Sequence, residues 1–400
     1  MLRHFRPACG ALFAGTCGVL SAQRLASCRS AAAVPPSSCV MVDAGSGWTR
    51  VERFSRTADG LVHLDATKRL APLADVLVAG GDEPERWLSA LLALLEDDAS
   101  ASQQQQQQQQ QQEQERVVYI GATAGIRSAI TEGTITEERL AQFEALVRRA
   151  LGERASFAIV SGEDEAALEL RAVEYCVRGA AGGGSALLGG GAGGGGGGGG
   201  GGRVGLMSSG GMSSQVVFPL GGSGGGSVCA LSLPTKLKKE GNLRCLEGGA
   251  AQGLAAYTEY LERVVAAAAI DAAAAAAGAG DSGGKLQGTF VLIEVLGSVG
   301  ERVGIDRRVL SAAAATEALD RYLAQWLQKA ERATAAEVEA YTWKSVVPAT
   351  SALQARRLLE LLDPEAQLYF SRTFELAPGH VLKPSWTLGY ALSHVFGESA

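Results

Sequence analysis

Hydrophobic and polar positions along this chain follow two alternating periods. Residues 40–42 form a short apolar run ending at Asp43. A Gly-Ser-Gly turn follows, and residues 49–54 alternate apolar and polar, so the pattern predicts a β-hairpin. Residues 117–120 read as a strand running into a loop at 121–125. The stretch after it carries Leu140, Phe143, Leu146 and Val147 at helical spacing. A strand at 157–160 enters Ser161-Gly162 and a helix over about 164–177 follows. Residues 204–207 and 215–218 predict a second hairpin across a Ser-Ser-Gly-Gly turn. Residues 290–296 read as a buried strand and 386–396 as an amphipathic helix. Strands mixed with helices in this order predict an α/β fold.

Three biased tracts interrupt the pattern: glutamine at 103–112, glycine at 189–202 and alanine at 266–277. Neither the polar nor the side-chain-free tract can join a core. Both read as surface insertions, which cost little because loop-closure entropy grows slowly with length. The alanine tract has high helix propensity and is expected to extend the helix before it. Domain assignments place a Gln-rich insertion at 101–115 and low-complexity insertions at 189–202 and 266–284.

The chain has 400 residues, 46% hydrophobic and 20% charged, enough for two domains with separate cores. A net charge of −6 argues against a nucleic acid or an anionic membrane surface as partner. No run of about 18 or more apolar residues follows the N-terminus, so no membrane span is expected in the mature chain. The first 39 residues read as a targeting segment. Arg3, Arg6, Arg24 and Arg29 carry its charge, and no acid appears before Asp43. The small apolar stretch 8–22 fits a secretory signal, and the Arg and Ser content fits a mitochondrial or plastid transit peptide equally. Cys9, Cys17, Cys28 and Cys39 lie in or at the edge of that segment. Cys176, Cys229 and Cys245 remain, which allows one disulfide at most. None has metal-ligand spacing, and a disulfide-dense scaffold is excluded.

Two distant segments share one local design. Asp43-Ala-Gly-Ser-Gly-Trp-Thr49 and Ser208-Ser-Gly-Gly-Met-Ser-Ser-Gln215 each set glycines and hydroxyls in a turn between strands. Glycine lets the backbone approach a phosphate closely, and the N–H groups of such a turn form an anion cradle. One such hairpin alone is more often a plain β-turn. The spaced pair points to a grip on one polyphosphate from both sides.

These segments resemble the motifs of the apyrases, the nucleoside tri- and diphosphate phosphohydrolases. The first hairpin is similar to the family's opening phosphate motif. Tyr119-Ile-Gly-Ala-Thr-Ala-Gly-Ile-Arg127 resembles the second motif. Ile159-Val-Ser-Gly-Glu-Asp-Glu165 resembles the third, which carries the catalytic glutamate. Gly210-Gly-Met-Ser-Ser-Gln215 resembles the fourth, and Ser385-Trp-Thr-Leu-Gly-Tyr-Ala-Leu392 the last. The five occur in order across residues 40–396. The resemblance implies a two-lobed actin/hexokinase-like (ribonuclease H-like) fold with an interlobe nucleotide cleft. Lobe I would hold 40–160 plus 383–400, and lobe II 161–382.

The resemblance also implies roles. Glu165 would be the general base, with Ser213 and Gln215 holding the attacking water. Phosphate or nucleotide contacts would come from Gly45, Ser46, Gly47, Trp48, Thr49 and Arg50 in the first hairpin, and from Thr123, Ala124 and Arg127. The second hairpin would add Gly210, Gly211, Met212, Ser213 and Ser214, and the last motif Trp386. Asp43 would bind Mg²⁺ or Ca²⁺ through its water shell, which suits an ion that reaches phosphate through few carboxylates. The substrate would be a nucleoside di- or triphosphate, with Tyr341, Trp343, Tyr369 and Phe370 as candidates for stacking on the base. Taken singly, Glu165 reads as an acid complementing a helix dipole, Arg127 as a surface or capping residue, and Trp386 as lobe packing.

Three departures matter. Ser208 stands where the family has Asp, which leaves a hydroxyl to reach a metal-bound water and no charge. Trp48 puts a bulky ring into the first hairpin, where it would narrow the pocket or stack on a ligand. Ala166 follows the glutamate as in the exopolyphosphatase/guanosine-pentaphosphate phosphatase relatives. The leading expectation is therefore a divalent-metal-dependent nucleotidase. An exopolyphosphatase-like phosphatase and a nucleotide-binding pseudoenzyme are the alternatives.

Overall fold

A computed structural model describes residues 38–57, 60, 62–96, 117–152, 155–180, 204–219, 228–243, 245, 250–278, 285–332 and 343–397. The glutamine and glycine tracts and residues 1–37 of the expected targeting segment lie outside that set. Ser38 and Cys39, taken from sequence as the end of that segment, instead open the first strand. Cys39 is buried and registers with Phe54 and Val117.

In chain order the first half runs β1 (Ser38–Ala44), β2 (Thr49–Arg56), β3 (Val62–Leu70), α1 (Leu73–Ala79), α2 (Glu83–Glu96), β4 (Val117–Ala122), α3 (Ala124–Thr131), α4 (Glu137–Leu151) and β5 (Ala155–Ile159). Next come α5 (Gly162–Gly179), β6 (Val204–Ser209), β7 (Ser214–Pro219), β8 (Val228–Leu233), a π-helical turn at Leu237–Leu243 and α6 (Ala250–Gly278). The chain continues with β9 (Thr289–Leu292), α7 (Glu294–Val303), β10 (Val309–Ser311), α8 (Ala312–Glu331), α9 (Trp343–Leu358) and β11 (Gln367–Phe370). It closes with the hairpin β12 (Phe374–Ala377) and β13 (His380–Leu382), α10 (Trp386–Tyr390) and a π-helical turn at Ala391–Val395.

The strands form a five-stranded sheet, β3-β2-β1-β4-β5, and a six-stranded sheet, β10-β11-β9-β6-β7-β8. In each, an antiparallel hairpin (β1–β2 or β6–β7) lies beside a parallel strand, β4 or β9. The side-chain period of two sorts the core. Val40, Val42 and Ile120 pack against Leu73, Trp87 and Phe143 of the helices on one face. Cys39, Met41 and Tyr119 face a second core shared with Val173 of α5, Leu206 and Val291 of the other sheet, and Trp386. The opposite face of the second sheet buries Met207, Phe290 and Leu292 against α6 to α9.

The local reasons for two helix starts lie in the sequence. Thr136 caps α4 by accepting from the Arg139 N–H, with Glu137 and Glu138 in the first turn and Arg148 and Arg149 in the last. Ser161 caps α5 by accepting from the Asp164 N–H. Three expectations shift. The run 290–296 is not one strand: β9 stops at Leu292, and Glu294, with φ 56°, turns the chain into α7. The run is apolar because strand and helix are both buried. The segment 386–396 is a short helix followed by a π-turn, and it is buried on nearly every side rather than amphipathic. The alanine tract extends α6 as expected, but it is not a peripheral insertion: Ala268 and Ala272 pack into the core with Val265. Small side chains allow that close packing.

Among the described residues Cys39, Cys176, Cys229 and Cys245 are free thiols. No helix there is long and apolar enough to cross a membrane.

Candidate active site

The first hairpin ends its ladder with Asp43 opposite Arg50 and Ala44 opposite Thr49. Arg50 grips the Asp43 carboxylate through Nε at 3.0 Å and Nη2 at 2.6 Å. The turn between them holds Gly45, Ser46, Gly47 and Trp48. The Trp48 side chain is 58% exposed, so the ring does not fill the hairpin. Thr49 is buried, and its hydroxyl meets no hydrogen-bond partner among the described residues.

The loop after β4 meets this turn closely. A Cβ on Gly125 would lie 2.8 Å from the Ser46 Cα, so only glycine lets the start of α3 sit against the hairpin. Thr123, buried, caps that helix position and donates from its backbone N–H to the Ala44 carbonyl at 3.4 Å. Ala124 and Arg127 follow on α3. Arg127 donates to the Val160 carbonyl and to the Glu165 carboxylate, the latter at 3.0 Å. The expected phosphate ligand is thus also the partner of the expected base.

Glu165 stands in the first turn of α5 with 12% of its side chain exposed. Burial pushes its carboxyl up to about 7; Arg127 opposes the rise, and Asp43 and Glu294 add to it. The dipole role of an acid at a helix start is compatible with this placement.

The second hairpin repeats the ladder with Ser208 opposite Gln215 and Ser209 opposite Ser214. Its turn closes through the Gly210 N–H donating to the Ser213 carbonyl at 2.9 Å. Ser208 is fully buried, and its hydroxyl meets Glu169 and the Gln215 Oε1. It is therefore not turned to a metal's water shell, as the sequence reading expected. Gln215 is buried too and donates from Nε2 to the Ser213 Oγ at 2.9 Å. Ser214 points into the second lobe's interior, where Gln354 donates to it at 2.8 Å and Thr235 lies at 3.0 Å. It makes no cleft-facing hydrogen bond.

A cleft of about 580 Å³ joins the halves. Ala124 and Arg127 line it from α3, Met212 and Ser213 from the second turn, and Lys236 and Tyr260 from the far wall. Gly210 is exposed, and Gly211 and Met212 are half-buried. The second turn lines this space through Met212 and Ser213, and the first turn stands behind it, packed against the start of α3.

Trp386 lies elsewhere. Its indole covers Gly121, where a Cβ would meet the ring at 2.2 Å, inside the shared core. This is lobe packing, as a β-strand glycine under an aromatic allows. Phe370 is buried in the second lobe and Tyr369 packs against Phe374. Tyr341 and the side chain of Trp343 lie outside the described residues.

Sequence reasoning missed Glu294, Lys383 and Glu169. Glu294 opens α7 in the left-handed region and pairs with Lys383 at 2.8 Å and with Arg50 at 3.5 Å. Burial favours its neutral form, but Lys383 and Arg50 hold the carboxyl below its ordinary range. Burial likewise works against the Arg50 cation, and Asp43, Glu294 and Glu52 overcome it. A lone acid inside an apolar run was the available signal for Glu294. Glu169 lies one helical turn beyond Glu165, and that i, i+4 spacing was the signal for it.

Among the described residues no three His, Cys, Asp or Glu side chains gather to hold a metal ion. The oxygen donors near the first turn are carboxylates already engaged by Arg50 and Lys383. That donor set would suit a hard divalent ion carried in on phosphate oxygens rather than an ion caged by protein.

No protein-family model and no curated protein matches the chain by sequence. Solved structures do match in fold. A Ppx/GppA family member from Aquifex aeolicus has 14% identity and a TM-score of 0.56, over 91% of this chain and 99% of that one. An exopolyphosphatase from Cytophaga hutchinsonii has 11% identity and a TM-score of 0.51, over 90% and 99%. Nucleoside triphosphate hydrolases from Neospora caninum have 14% identity and a TM-score of 0.52, over 90% and 92%. The fold is thus the two-lobed actin/hexokinase-like α/β fold.

Proposed function

We propose that this protein hydrolyses terminal phosphoanhydride bonds, with Glu165 as general base. The observation that carries the reading is the Glu165 carboxyl, raised by burial to about 7 and ion-paired at 3.0 Å with Arg127, which lines the cleft beside the second glycine turn. A base poised near neutral pH takes a proton most effectively. The attacking water gives its proton to Glu165 as its oxygen bonds to the terminal phosphorus. The bond from phosphorus to the bridging oxygen breaks, and the leaving phosphate departs with the electron pair. Arg50 and Arg127 offer positive charge to the phosphoryl oxygens, and the turn N–H groups cradle them. A divalent ion, Mg²⁺ on the donor set present, would supply further neutralisation of those oxygens and would be held by Asp43 through water.

Two substrate classes follow. Nucleoside tri- and diphosphates are supported by the motif order. Linear polyphosphate is supported by Ala166 and by the names of several structural neighbours. Purified protein would be given ATP, ADP, UDP, GDP and long-chain polyphosphate, with and without Mg²⁺, beside a Glu165→Ala control. Release of phosphate that depends on Glu165 is expected. Equal release by the variant, or none from any substrate, rejects the reading and leaves a binding protein. The N-terminal segment is proposed to direct the chain to the secretory pathway or to a mitochondrion or plastid.

A further inference from the structure

Glu169 is an acid that the mechanism above does not use. It is 5% exposed, on the same face of α5 as Glu165, and the one hydrogen-bond partner its carboxyl meets among the described residues is Ser208. Ser208 has a single hydroxyl proton and two neighbours, Glu169 Oε2 and Gln215 Oε1. Gln215 Oε1 has no proton to give, and the amide's Nε2 is spent on Ser213. Both contacts of Ser208 are satisfied only when Glu169 carries a proton and donates it.

We propose that Glu169 is a positioning residue for this site. Its carboxyl proton starts a one-way hydrogen-bond chain through Ser208 and Gln215 that ends on the Ser213 oxygen and leaves the Ser213 hydroxyl proton free to point into the cleft. Direction decides the chemistry. With the chain running outward, Ser213 accepts from Gln215 and donates to an anionic phosphoryl oxygen or to the attacking water. An ionised Glu169 would reverse it: Ser208 would donate to the carboxylate, the Gln215 amide would turn over, and Ser213 would donate backward. Ser213 would then show only lone pairs to the cleft and would repel an anion. The surroundings favour the neutral acid. Burial raises Glu169 well above the ordinary carboxylate range, and the neighbouring Glu165 charge raises it further. The hydroxyl at position 208 is therefore one link in a chain that a carboxyl on another helix begins.

The inference rests on the hydrolase reading for what Ser213 meets, so its test carries one arm that needs no activity. Three variants are compared with the unaltered chain: Glu169→Gln, Glu169→Leu and Ser208→Ala. Gln keeps a donor facing Ser208, so kcat is expected within about threefold of the unaltered chain. Leu removes the donor, and kcat is expected to fall about a hundredfold, the size of a misplaced reacting group. Ser208→Ala breaks the same chain with a smaller hole and is expected to match Leu, which covers the case in which Leu does not fold. The second arm follows the Gln215 side-chain NH₂ signal by ¹⁵N NMR, assigned through its loss in Gln215→Glu. Slow hydrogen exchange is expected in the unaltered chain and in Glu169→Gln, and fast exchange in the other two. Slow exchange in all variants overturns the proposal, as does a kcat loss in Glu169→Gln as large as in Leu. An unaltered chain that hydrolyses nothing, with the NMR contrast intact, rejects the hydrolase reading and leaves the chain of hydrogen bonds standing.

Discussion

The two hairpins of this molecule have the same backbone and opposite chemistry. Asp43 faces Arg50 at the second rung from the turn in β1–β2, and Ser208 faces Gln215 at the same rung in β6–β7. The pair in the first hairpin is charged, with two Arg50 nitrogens donating to one Asp43 oxygen. The second is neutral, fully buried and joined to an acid that arrives from α5. The strands that flank them diverge in the same way. β4 leads through Thr123 into α3, and β9 leads through Ile293 into α7, whose first residue is the ion-paired Glu294. A shared topology thus sets where a side chain stands and leaves its charge state to what packs around it. Cross-strand pairs are the natural unit for that comparison, because facing side chains on one sheet face touch directly.

The contrast can be broken at several points. The largest expected effect separates the two glutamates of α5. Glu165→Ala should lower kcat about a thousandfold, the loss usual for a general base, where Glu169→Gln should leave it nearly intact. For the unaltered chain, phosphate release should rise with pH and level off above about 7, as the Glu165 carboxyl loses its proton. A rate flat from pH 5 to 9 would remove Glu165 as base.

Next comes the rung itself. Ser208→Asp would make the second hairpin resemble the first in charge, yet the new carboxylate would be buried beside Glu169 with no cation facing it. A loss of about 3 kcal/mol in urea unfolding is expected, the cost of an unpaired buried charge. Adding Glu169→Leu should recover part of it. A more stable Ser208→Asp protein with higher activity would mean that the position awaits an acid.

The third test reads the strain of the base. A folded carboxyl raised from 4.5 to about 7 keeps a proton that the unfolded chain loses over that window. Its presence therefore lowers stability as pH rises from 4.5 to 7, and the deficit persists above. Glu165→Gln should change nothing below pH 4.5 and should stabilise by about 3 kcal/mol at pH 8. Urea midpoints at pH 4, 6 and 8 measure it, and a gain at pH 4 alone would reverse the sign and refute it.

The smallest effect is expected at Glu294. Glycine there relieves a left-handed backbone worth about 1 kcal/mol and loses two partly exposed ion pairs of similar total size. Glu294→Gly should stay within about 1 kcal/mol of the unaltered stability. A much larger loss would assign the two pairs a role in holding the halves together.

Much of the site was legible in residue order. The two glycine turns, the strands around them and the helix that carries Glu165 occur where the periodicity predicts, with boundaries longer by one or two residues. Gly125 is legible because its close approach to Ser46 leaves no room for a side chain. Glu294 and Lys383 were not legible, because their pairing joins segments far apart in the chain. Trp386 shows the opposite failure: its motif suggested the cleft, and a glycine on β4 drew the ring into the core.

By itself the sequence determined the local elements, the two turns and the acid at the start of α5, since periodicity, capping and glycine act over a few residues. The tertiary structure decided which carboxyls are charged. Protonation of a buried acid depends on the water it has lost and on the cations brought to it, and both are set by elements that meet only when the chain has folded.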